Sequence, residues 1–110
     1  FMPLQQALAS GSEKNVECVV GLLEKHPELL RDNLGNITAD KFMPLQDALK
    51  SGSEKNVERV VGLLEKHPAL LEANLGNITA DKFMPLQHAL ASGSEKNVER
   101  VVGLLERHPQ

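Results

Sequence analysis

Phe-Met-Pro-Leu-Gln begins at Phe1, returns at Phe42 and returns again at Phe83, so the chain repeats itself every 41 residues. A fixed interval of this length marks a solenoid or array, in which each copy is one supersecondary unit that hides its apolar face against the next. Copy one (1–41) and copy two (42–82) differ only at Gln6/Asp47, Ala9/Lys50, Cys18/Arg59, Glu28/Ala69, Arg31/Glu72 and Asp32/Ala73, and a partial third copy spans 83–110. The expected organisation is a single repeat domain over 1–110.

Within a copy, Pro3–Ser10 reads as a short helix: Pro3 suits the first helical position, and Leu4, Ala7 and Leu8 fall at i, i+3 and i+4. Gly11 ends it. A second helix is expected from about Asn15 to His26, where Val16, Val19, Val20 and Leu23 make an apolar stripe widened by Leu22. Ser12 or Asn15 is placed to cap it, and Pro27 disfavours helical geometry at His26. The stretch from Pro27 to Met43 is too long for an unstructured connection. Asp32-Asn33-Leu34-Gly35-Asn36 predicts a tight turn there, the tip of a finger flanked by Leu29-Leu30 and Ile37-Thr38. Gly21, Gly62 and Gly103 fall mid-helix, at a cost of up to ~1 kcal/mol each against alanine. They are either tolerated inheritance or points where a neighbouring helix comes close.

Composition narrows the function. With 41% hydrophobic residues, no tryptophan, no tyrosine and three phenylalanines, an aliphatic core is expected. A net charge of −3 offers no basic field for nucleic acid or an anionic membrane. No apolar run approaches the ~20 residues that span a bilayer. Nothing resembles a signal peptide, and the one cysteine, Cys18, cannot close an internal disulfide, so a cytoplasmic location is expected. Asn36-Ile37-Thr38 and Asn77-Ile78-Thr79 fit a glycosylation sequon but read as turn chemistry.

No cofactor, metal site or catalytic centre is expected. His26, His67 and His108 recur before proline, but copies ~8–10 Å apart cannot share a zinc needing nitrogens at ~2.0–2.1 Å. Gly11-Ser12-Glu13-Lys14 lacks the ending of a phosphate-cradling loop. Cys18 has no recurring base beside it, and His88, with no counterpart at Gln6 or Asp47, is expected on the surface. Three near-interchangeable copies argue against a unique catalytic pocket.

With these parts in place, the chain resembles an ankyrin-repeat array. Met-Pro-Leu-Gln-x-Ala at Met2, Met43 and Met84 is similar to the family's Thr-Pro-Leu-His-x-Ala, Val16–Glu24 to its second-helix phrase, and Asp32–Asn36 to its finger turn. Methionine and glutamine replace the threonine and histidine, and the period exceeds the family's 33 residues. The surplus falls in loops, at Ser12–Lys14 and between Asn36 and Met43, less one residue after Glu24. An elongated ankyrin repeat fits better than a HEAT- or armadillo-like unit, because the first helix is short and the finger long. The resemblance implies an all-α solenoid of helical hairpins with finger-like turns. It also implies a protein-binding scaffold that uses the fingers and the exposed face of each first helix.

On that surface the positions that vary between copies, Gln6/Asp47/His88 and Ala9/Lys50/Ala91, together with Asn33, Asn36, Asn74 and Asn77 of the fingers, are the candidate partner-contacting residues. The alternative is a designed or structural assembly module with no evolved ligand. Copies this similar fit a consensus-built protein as well as an excerpt of a natural array. The apolar ends, Phe1-Met2 and Val98, Val101, Val102 and Leu105, predict weak head-to-tail association.

Overall fold

The computed structural model describes residues 3–108, among which there are eight α-helices and no strand. Three helices make each full copy: α1 (Pro3–Ser10), α2 (Glu13–Lys25) and α3 (Pro27–Leu34), then α4 (Pro44–Ser51), α5 (Glu54–Glu65) and α6 (Pro68–Leu75). The last copy contributes α7 (Pro85–Ser92) and α8 (Glu95–Arg107).

Local chemistry sets these boundaries. Gly11, Gly52 and Gly93 take φ of 75°, 78° and 77°, a left-handed turn that stops each first helix and costs glycine nothing sterically. The next residue, Ser12, Ser53 or Ser94, then accepts the amide of the residue three on, at 3.2 Å in every copy. That serine, rather than Asn15, is the cap.

The third helix departs from the sequence expectation. Asp32-Asn33-Leu34 is helical, not the tip of a turn, and Gly35 keeps an ordinary φ of −96°. Pro27 starts the helix with its φ already set. Leu30 and Leu34, one turn apart, are buried, and Asn33 Nδ2 donates back to the Leu29 carbonyl at 2.9 Å. Burial of that leucine pair outweighs the turn preference of Asp and Asn.

First helices form one row, α4 lying between α1 and α7, and second helices pack behind them. The core runs continuously through Leu4, Leu8 and Val16 of copy one, Leu45, Leu49 and Val57 of copy two, and Ala89, Val101 and Leu104 of copy three. Equivalent side chains differ only by their place in the row. Leu8 and Leu49 are fully buried, whereas Leu90, on the outermost first helix, is 59% exposed. At the other end Leu22 is 49% exposed and its counterpart Leu63 only 3%.

Ion pairs step across the exposed side of the second helices: Arg59 to Glu17 at 3.3 Å, Arg100 to Glu58 at 3.2 Å, Lys66 to Glu24 at 3.5 Å and Arg107 to Glu65 at 3.1 Å. Such exposed pairs contribute little individually, ~0–1 kcal/mol. Cys18 is exposed where its counterparts Arg59 and Arg100 reach across to the preceding copy.

The mid-helix glycines do not serve close helix approach. A methyl group built on Gly21 or Gly62 meets nothing within 4 Å, and one on Gly103 only reaches the Arg107 guanidinium at 3.9 Å. The outer apolar positions of α8 also divide: Val101 faces inward and is fully buried, while Val102 is exposed. Phe1 and Met2, expected to be the apolar amino-terminal end, lie outside the described residues.

Candidate functional site

The finger occupies residues 35–43. Lys41 N–H donates to the Thr38 carbonyl at 2.8 Å around Ala39-Asp40, and Thr38 N–H donates to the Phe42 carbonyl at 3.0 Å. Thr38 Oγ1 accepts the Phe42 amide, and Lys41 takes a left-handed φ of 65°. The second finger, residues 76–84, repeats this geometry through Thr79, Lys82 and Phe83.

The glutamine of Met-Pro-Leu-Gln holds the finger to the first helix. Buried Gln5 donates from Nε2 to the Asn36 and Phe42 carbonyls at 3.1 and 3.0 Å, and its Oε1 accepts from Asn36 Nδ2. Gln46 does the same to Asn77 and Phe83. Asn33 and Asn74 are also buried: their Oδ1 atoms accept the Leu4 and Leu45 amides at 3.1 Å, supplying partners for orphan donors at first-helix starts. Asn33 and Asn74 therefore lie beneath the surface on which the sequence placed them, and Asn36 and Asn77 are half-buried in the glutamine clamp.

Neighbouring fingers touch. Ala80 N–H donates to the Asp40 carbonyl at 2.9 Å, and Asn77 Nδ2 to the Lys41 carbonyl at 2.7 Å. Their outermost apolar residues, Ile37 and Ile78, are each about half exposed.

Of the varying first-helix positions, Gln6, Ala9, Lys50 and Ala91 are exposed and Asp47 is half-buried. His88 corrects the surface expectation. It is only 6% exposed, lodged edge-on between Phe42 and Phe83 with ring centroids 5.1 and 5.2 Å away. The recurring phenylalanine makes that slot and meets the imidazole edge-on from both sides, while His88 Nδ1 is buried with no hydrogen-bond partner among the described residues. Burial pushes the His88 pKa below its ordinary 6.5, the Met84 backbone opposes this, the Lys50 charge adds to it, and Asp81 opposes it.

Between α1 and α4 lies a cavity of about 370 Å³, walled by Ala9, Thr38, Asp40, Phe42, Asp47 and Lys50 among others. It brings together both varying positions and the finger. The small Ala9 stands where copy two has Lys50, and the short Asp47 where copy three has His88, so together they leave this space open. Lys50 Nζ lies 5.0 Å from the Phe42 ring centroid. Asp47 Oδ2 is buried with no hydrogen-bond partner among the described residues. Burial pushes the Asp47 carboxyl up to about 6, against the pull of the Gln5 amide and the Lys50 charge.

Among the described residues no group of three or more His, Cys, Asp or Glu side chains is placed to hold a metal ion, and no helix is long and apolar enough to cross a membrane.

No family model and no curated protein matches the sequence. Among solved structures, the crystal structure of the human ASB11 ankyrin repeat domain superposes with a TM-score of 0.67 at 22% identity, covering 94% of this chain. The chain spans 40% of the length of that structure. Its fold is an ankyrin-repeat array: an all-α row of helical hairpins joined by fingers.

Proposed function

We propose that this ankyrin-repeat array is a protein-binding scaffold whose contact surface is the outer face of α1, α4 and α7 together with the two fingers. The observation that carries this reading is the meeting of exposed, copy-specific side chains with finger residues: Ala9 and Lys50 line one cavity with Thr38 and Asp40. Two of the six positions at which copies one and two differ, 6/47 and 9/50, lie on the first helices beside the finger, and exposed variation there at Gln6, Ala9 and Lys50 suits recognition of a partner. The exposed Ile37 and Ile78 add apolar contact at a fixed spacing. Gln6, Ala9, Lys50 and Ala91 are the contact positions, with Asp47 behind them, while Asn36 and Asn77 act by holding the fingers.

Capture from lysate by the parent chain, compared with a variant carrying Gln6→Ala, Lys50→Ala, Ile37→Ser and Ile78→Ser, tests the reading. Specific proteins held by the parent and lost by the variant support it. Identical capture by both refutes it, since these exposed changes leave the core intact.

A second reading, an assembly module associating head to tail, is favoured by one comparison. The outward faces carry Leu22 and Leu90, whose counterparts Leu63 and Leu49 are buried between copies. Sedimentation over a concentration series decides it: a mass that grows with concentration is expected, and a strict monomer at millimolar protein counts against it.

A further inference from the structure

We infer that the outer face of α7 and α8 receives the outer face of α2 from a second copy of this chain, and that Cys18 limits this joint by standing where the inner joints have an arginine. The inference rests on the head-to-tail reading and specifies the chemistry of the contact.

Apolar side chains mark both faces. Phe83, Leu90 and Val102 are exposed, whereas Phe42, Leu49 and Val61, one repeat earlier, are buried. Phe42 meets His88 of the next copy, and Val61 borders Lys96, Glu99 and Gly103 of α8, so these positions face the copy that follows. Leu22 marks the opposite face. Its counterpart Leu63 borders Val20 and Gly21 of the preceding copy and is buried there.

Polar groups run in the same register. At the first inner joint Ser53 Oγ donates to Glu13 at 2.8 Å, Arg59 donates to the Glu13 carbonyl at 2.9 Å and to Glu17 at 3.3 Å, and Lys66 meets Glu24 at 3.5 Å. The second joint repeats the set, with Ser94, Arg100 and Arg107 reaching Glu54, Glu58 and Glu65. One repeat further, Glu95, Glu99 and Glu106 stand exposed on α8 as the next acceptors, and one repeat earlier Ser12 and Lys25 are the matching donors on α2. Three carboxylates on one face and an ammonium on the other favour this pairing over like faces meeting.

The set lacks one member. Cys18 holds the Arg59 position, and its short side chain cannot reach the neighbouring copy as a guanidinium does. Between molecules, Glu99 and the Glu95 carbonyl therefore go without the donor that closes both inner joints. Because donor and acceptor faces differ, the contact is heterologous and can add further copies.

The test is sedimentation of the whole chain and its variants under reducing conditions over a concentration series. Cys18→Arg should tighten self-association about tenfold, and adding Glu99→Gln should cancel much of that gain. In the Cys18→Arg background, Leu22→Asp and Leu90→Asp should each be monomeric alone and form one-to-one pairs when mixed, since each keeps the face the other lacks. All four changes are at exposed positions, so the fold is kept. No gain from Cys18→Arg, a gain undiminished by Glu99→Gln, or single-face variants that stay monomeric on mixing each overturns the inference. The head-to-tail reading is judged on the parent chain. If the parent associates and Cys18→Arg adds nothing, assembly stands and this joint does not; if the parent stays monomeric while Cys18→Arg associates, the joint stands and assembly by the parent does not.

Discussion

Asn74 binds across two copies at once. Its Oδ1 accepts the Leu45 amide at 3.1 Å while its Nδ2 donates to the Leu34 carbonyl of the preceding copy, also at 3.1 Å, and to Leu70 at 2.8 Å. Three partners in a fully buried setting make this side chain a rivet between copies one and two. Asn33, its counterpart, holds only partners within its own copy, Leu4 and Leu29.

Asn74→Ala should therefore destabilise the chain by about 2–4 kcal/mol, from lost hydrogen bonds and the stranded Leu45 amide. Asn33→Ala should cost less. Chemical denaturation of both variants checks the order, and equal losses would contradict the cross-copy role.

Gly62→Ala should stabilise by up to ~1 kcal/mol, because the added methyl meets no atom within 4 Å and the helix gains alanine's propensity. Gly21→Ala should act alike. A thermal melt showing loss of stability in either would point to a contact made outside the isolated chain.

Asn56 and Asn97 are fully buried, and neither side-chain polar atom of either finds a hydrogen-bond partner among the described residues, whereas Asn15 at the same repeat position is exposed. Replacing Asn97 by leucine, of broadly similar shape, should raise stability by ~1–2 kcal/mol by removing the desolvation cost. Asn15→Leu should change it little. Unfolding free energies of the pair give the comparison, and a destabilised Asn97→Leu would contradict the unpaired state.

Asp47 and His88 respond to acid in opposite senses. The folded pKa of Asp47, about 6, exceeds its ordinary 3.8, so between those values the folded chain holds more protons than the unfolded one. Its contribution to stability is greatest at low pH and declines as pH rises toward and through about 6. Asp47→Asn should thus be the more stable form at pH 7.5, by up to about 2 kcal/mol after allowance for partial exposure, with the gap closing toward pH 4. His88, with its pKa lowered, contributes above 6.5 and loses that contribution as pH falls through its folded value. His88→Gln should accordingly flatten the fall in stability on acidification from pH 7, though the lost ring contacts cost stability at every pH. Denaturation at several pH values separates the two, and parallel curves for parent and variants would refute both assignments.

Much of the fold was legible because local signals agreed with one another. Pro3, Gly11, Ser12 and the Leu4-Ala7-Leu8 spacing all point to the same helix boundaries. The third helix was hidden because Asp32-Asn33 favours turns locally, and only tertiary burial of Leu30 and Leu34 decides otherwise. His88 misled for a similar reason. Its burial depends on Phe42 and Phe83, residues 46 and 5 positions away in sequence, which meet around it only once two copies have stacked. The cavity depends on two small side chains, Ala9 and Asp47, being missing bulk at the same junction, and reading along one copy does not reveal that. The repeated phenylalanine was the available signal, since an aromatic kept in every copy beside a changing position implies a slot whose filling varies.

The hydrogen bond from Ala80 to Asp40 couples the two fingers through their main chains. Loops that swung independently would have to be frozen one by one by any ligand spanning them. Joined at their tips, they form a stiff comb whose tooth spacing is set by helix stacking beneath. A ligand touching both Ile37 and Ile78 then meets a ruler already cut to length, and shifting one tooth necessarily strains its neighbour.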